Sequence, residues 1–100
     1  MVRYHGNWCG PGWTAGQYKD ADELTEEDIH VPAIDALDAC CKRHDIRIML
    51  AHSQEELVKA NEAFFEETQG LGLKSNIAGY LVRYGGPTEP SKSLFNLHHG

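Results

Sequence analysis

Two polar residues stand where apolar ones are due. Ile34, Leu37, Cys41, His44 and Ile48 step by three and four residues, one helical stripe with a histidine inside it. Leu57, Asn61, Phe64 and Thr68, flanked by Ala60 and Phe65, form a second stripe with an amide inside it. If the two helices pack antiparallel, the stripes face each other. A buried polar side chain without a partner costs about 1–3 kcal/mol, so a pair between His44 and Asn61 is the economical arrangement. Taken alone, such a histidine reads as a satisfied core residue.

His44 is not alone. It lies in the run Asp38-Ala39-Cys40-Cys41-Lys42-Arg43-His44-Asp45, and upstream lies Gly6-Asn7-Trp8-Cys9-Gly10-Pro11-Gly12-Trp13. Adjacent helical positions point about 100° apart, so His44 and Asp45 address different surroundings. A Gly-rich segment turns several backbone carbonyls toward one point, which suits a hard cation that takes oxygen ligands. A structural zinc site from Cys9, Cys40, Cys41 and His44 is a weaker reading. Two consecutive cysteines on a helix do not easily reach one tetrahedral ion, and no C-x-x-C pair is present. A Cys-His hydrolase built on Cys40 and His44 is weaker still, because nothing supplies an oxyanion hole.

The pair W-C-G-x-G and D-x-C-C-x-x-H-D resembles the calcium loop and active-site helix of the phospholipase A2 superfamily. The W-C-G loop is similar to the bee-venom branch. Residues 60–68 and Gly79-Tyr80 resemble the compact phospholipase domain in the unique N-terminal region of parvovirus capsid proteins, and the likeness spans roughly residues 4–84. It implies that the carbonyls of Trp8, Gly10 and Gly12 and the carboxylate of Asp45 bind Ca2+. It implies that His44 is a general base on water, oriented by Asn61, and that Cys9 and Cys41 form a disulfide with Cys40 left over. The implied activity is hydrolysis of the sn-2 ester of glycerophospholipids at a membrane surface. The implied setting is a virion, as part of a larger capsid protein, or the secreted fraction.

The chain departs from this family at three points. The second-helix partner of the histidine is ordinarily Asp, and Asn61 accepts a hydrogen bond without bringing charge. A weakly active or inactive lipid- or protein-binding module is therefore the competing expectation. Trp13 stands where many secreted members have Gly, and Cys40 lacks the partner those members supply. Tyr4, Trp8, Trp13 and Tyr18 read equally well as an interfacial surface and as packing around the loop.

The elements that must position these groups follow from the rest of the chain. Residues 1–18 hold four of the nine aromatics and four of the ten glycines, a tight loop rather than a helix. Residues 19–31 read as a solvated acidic connector with one short helical turn. Pro32 suits the first turn of the first helix. Ser53 and Glu56 form a capping box for a second helix over 54–69, stopped by Gly70 and Gly72. Ser75 caps a shorter third helix bearing Ile77, Leu81 and Tyr84, ended by Gly85-Gly86-Pro87, and 87–100 reads as a loose tail. The expectation is a single mostly-α domain: a Gly-rich loop, two longer antiparallel helices and a third, shorter one.

Composition sets the limits. One hundred residues allow one modest core. The net charge of −6 lacks the basic stripe a nucleic-acid binder needs, and six of the fifteen acids fall within residues 20–28. Three cysteines are too few for a disulfide-built scaffold. No apolar run approaches the roughly 20 residues of a membrane-spanning helix, and the polar, aromatic sequence after Met1 leads to no expectation of a secretory signal there.

Overall fold

The computed structural model describes residues 2–88. The chain is mostly helical: α1 spans Ala36–Leu50, α2 Gln54–Thr68 and α3 Leu73–Gly85. Two single 3-10 turns, Ala21–Glu23 and Asp28–His30, precede them. The Gly-rich N-terminal segment folds back on itself, with an isolated bridge between His5 and Cys9.

The chain ends its helices where local chemistry requires. Asp35 caps α1 by accepting the Asp38 N–H at 2.9 Å, so Pro32 and the exposed Ile34 lie outside the helix. Ser53 caps α2 through Glu56 N–H at 3.2 Å, while the Glu56 side chain turns to His52 instead of closing the box. Pairs 44–61, 40–67 and 43–67 run in opposite senses along α1 and α2, which are therefore antiparallel as expected. Buried Leu37, Cys40, Cys41 and His44 of α1 meet buried Leu57, Ala60, Asn61 and Phe64 of α2.

The third helix departs from the expectation. It starts at Leu73 after Gly72, and Ser75 is buried one turn inside it instead of capping it. The buried face is small: Ser75, Ala78 and Gly79. A Cβ at Gly79 would lie 2.3 Å from Thr68 Oγ1, so α3 sits too close to α2 for a large side chain there. Ile77, Leu81 and Tyr84 consequently face outward, with Tyr84 77 % exposed.

The acidic segment is solvated only in part: Asp20, Glu23, Glu26 and Glu27 are exposed, but Asp28 is buried. The Ala21–Glu23 turn packs on α1, and Leu24 packs against the core that Trp8, Cys9, Cys41 and Phe64 share. Asp28 is buried, accepting hydrogen bonds from Gln17 Nε2 and the Thr25 N–H and pairing with Lys19. Pro87, expected at the start of a loose tail, is held by Asn61; residues 89–100 lie outside the described part of the chain.

Candidate active site

Backbone hydrogen bonds sort the carbonyls of the loop into two sets. Those of Cys9 and Pro11 accept N–H groups from Tyr4, His5 and Val2. The carbonyl of Gly10 accepts one, from Trp13 at 3.1 Å, and those of Trp8 and Gly12 accept none among the described residues. Gly10 reaches this geometry at φ +139, and a Cβ there would fall 2.0 Å from the Val2 carbonyl. Only glycine serves at that position.

Two ties hold the loop against α1. Cys9 and Cys41 form the disulfide, with Cα atoms 5.2 Å apart, and Cys40 remains a buried free thiol. The second tie is Asp38, fully buried at 0 % exposure, which receives the N–H groups of Trp8 at 2.8 Å and of Asn7 and Ile34 at 3.0 Å each. Sequence reasoning does not single out Asp38 as the organiser of the loop. Its place in the run that contains His44 was the available signal.

Loop and helix enclose a cavity of about 680 Å³. Trp8, Gly10, Gly12, His44 and Asp45 all line it, five of the six expected site residues, and Asn61 lies behind His44. Asp20 and Asp22 line the same space, and the carboxylates of Asp20, Asp22 and Glu23 come within 4.8 Å of one another. Asp20 and Asp22, read as connector, form part of the cavity wall. Trp8 is 1 % exposed with its indole N–H on the Val31 carbonyl, so it packs the loop and has no interfacial surface.

His44 Nε2 lies 2.8 Å from Asn61 Oδ1. The Asn61 oxygen only accepts, so Nε2 carries the proton and Nδ1 keeps its lone pair. No hydrogen bond takes up Nδ1 among the described residues. Burial holds the His44 pKa below the ordinary imidazole value, the Asn61 contact opposing, which favours the neutral ring.

Asp45 accepts the Thr14 hydroxyl at 3.3 Å and makes no ion pair among the described residues. Burial raises its pKa well above the usual carboxylate range, Thr14 opposing and nearby Asp38 adding to the rise. A carboxylate so placed takes up either a proton or a cation. The acids Asp20 and Asp22 and the loop residues Trp8, Gly10 and Gly12 line the same cavity, and oxygen donors are the kind a hard cation takes. Among known proteins, no family model, no curated protein and no solved structure matches this chain.

Proposed function

We propose that this domain is a calcium-dependent phospholipase A2, hydrolysing the sn-2 ester of glycerophospholipids at a membrane surface. The observation that carries the reading is the His44–Asn61 pair at 2.8 Å, whose histidine shares one cavity with Asp45 and the loop residues Trp8, Gly10 and Gly12. In this reading Nδ1 of His44 takes a proton from water as that water attacks the ester carbonyl. The same nitrogen then returns the proton to the departing lysolipid oxygen, so no acyl-enzyme forms. Asn61 keeps the ring in its orientation. The carbonyls of Trp8, Gly10 and Gly12 with the Asp45 carboxylate would hold Ca2+, which would supply positive charge beside the ester carbonyl.

The outward face of α3 supports an interfacial site. Leu73, Ile77, Tyr80, Leu81 and Tyr84 are exposed, and Leu81 and Gly85 border both this face and the cavity. Lys74 and Arg83 are the only charges on α3, in a chain of net charge −6, which suits anionic headgroups.

Asn61 also favours a second reading, a lipid-binding module without turnover, because a neutral amide stabilises an imidazolium less than a carboxylate does. Fatty-acid release from mixed phospholipid vesicles decides between them, measured with calcium, with chelator, and for His44→Gln. The enzyme reading expects release that needs calcium and falls about 10²–10⁴-fold in the variant. Turnover that ignored both changes would overturn it, and vesicle binding without turnover would establish the module.

A further inference from the structure

Asn61 has two unlike ends, and a carboxylate in its place would not. With Oδ1 toward His44, the ring donates from Nε2 and leaves Nδ1 basic. With the amide reversed, Nδ2–H would face the ring, Nε2 would become the acceptor, and the proton would move to Nδ1. Something must choose between these states, and the structure contains it. Asn61 Nδ2 donates to the Pro87 carbonyl at 2.9 Å, on the side away from the histidine. Pro87 is brought there by the end of α3, where Gly86 N–H bonds to the Val82 carbonyl at 2.8 Å. A Cβ on Gly86 would lie 2.4 Å from that carbonyl and 3.1 Å from Asn61 Oδ1, so any larger residue displaces this turn.

We infer that the Gly86-Pro87 turn is a positioning element: the Pro87 carbonyl locks the Asn61 amide and so selects the Nε2–H tautomer of His44. Asn61 is tolerable opposite a general base because the chain supplies this second bond. The same turn continues α3, so a shift of that helix is felt at the imidazole. The value of the lock to catalysis rests on the hydrolase reading, whereas the tautomer itself does not.

The test is therefore made without substrate, by ring ¹⁵N NMR of His44 at mildly alkaline pH. The wild-type ring should show Nε2 protonated and Nδ1 bare, and the Asn61 amide protons should exchange slowly. In Gly86→Ala the spectrum should move toward a mixture of tautomers, with the Trp8 indole resonance unchanged as the check on folding. In the Asn61→Asp background either oxygen accepts, so adding Gly86→Ala should leave the tautomer unaltered. A wild-type ring protonated on Nδ1 would overturn the inference, even if Gly86→Ala fails to fold. So would an equal response to Gly86→Ala in both backgrounds, because the turn would then act by general disruption.

Discussion

Thr14 donates its hydroxyl to Asp45 Oδ2 at 3.3 Å, the one hydrogen bond this carboxylate receives among the described residues. The pair joins the Gly-rich segment to α1 at the cavity. It leaves most of the carboxylate's capacity to accept unused.

That imbalance has a pH signature. Burial raises the folded pKa of Asp45 above its unfolded value, so the native state binds the extra proton. The stability this contributes is full below the unfolded pKa and is lost as pH rises through the folded one. Without calcium, urea midpoints should therefore fall with rising pH above about 4, and Asp45→Asn should flatten that slope. Calcium at about 100 times its Kd should restore about 2.7 kcal/mol to the wild type and nothing to Asp45→Asn. Equal calcium shifts in both proteins would place the ion elsewhere, with the acidic group of Asp20, Asp22 and Glu23 as the next site to test.

Removing Asn61 should separate orientation from folding. Asn61→Ala leaves the buried His44 N–H without an acceptor, and we expect a loss of about 1–3 kcal/mol in stability. Vesicle hydrolysis should fall further than that loss explains, as kcat rather than KM. Comparing kcat with the folded fraction measured by circular dichroism checks this, and a proportional fall would make Asn61 purely structural.

The face of α3 should govern access to lipid. Ile77→Asp and Tyr84→Asp each exchange an exposed apolar contact outside the cavity for a charge, and a buried large apolar side chain is worth about 1.5–3 kcal/mol. Partition onto anionic vesicles should drop at least about tenfold, with hydrolysis of a dispersed short-chain substrate little changed. Sedimentation with non-hydrolysable ether lipids reads the binding alone. Unaltered partition would remove α3 from the interface.

Acid stability should centre on the segment read as connector. Lys19 beside Asp28, together with the Thr25 and Gln17 hydrogen bonds, lowers the Asp28 pKa from 3.8 to about 2 against the opposing effect of burial. A lowered folded value contributes stability above the unfolded pKa, lost as pH falls toward 2. The wild type should thus weaken between about pH 4 and 2, and Asp28→Asn should weaken less steeply over that range. Asp35 and Glu67 are also held low, by the Asp38 N–H and by Arg47 and Arg43 respectively, so some slope should remain.

The Cys9–Cys41 bridge closes a long loop, with a sequence separation of 32. Cys9→Ser with Cys41→Ser should cost roughly 3–4 kcal/mol through the entropy of the unfolded chain. Denaturant midpoints with and without reductant measure it. The Asp38 tie should keep the loop seated, so Asp38→Ala in the reduced protein should be the more damaging change.

The sequence by itself determined what local chemistry controls. Stripe periodicity, the Ser53 cap and the stops at Gly70 and Gly72 set α2, whereas α1 begins after the Asp35 cap and not at Pro32. The spacing of His44 and Asn61 predicted their contact, since two antiparallel stripes bring these two polar groups face to face. What it did not contain was depth. The sequence predicts a third helix bearing Ile77, Leu81 and Tyr84, but not which way they face; Gly79 packs closely on Thr68, and those three side chains are exposed. The acids of 20–28 looked solvated because charge prefers water, yet Lys19 satisfied Asp28 from outside its own turn and allowed burial. The Pro87 carbonyl on Asn61 left no trace in composition or period, because a backbone oxygen carries no residue identity. Only the tertiary structure decided those three, each through a contact between separate segments of the chain.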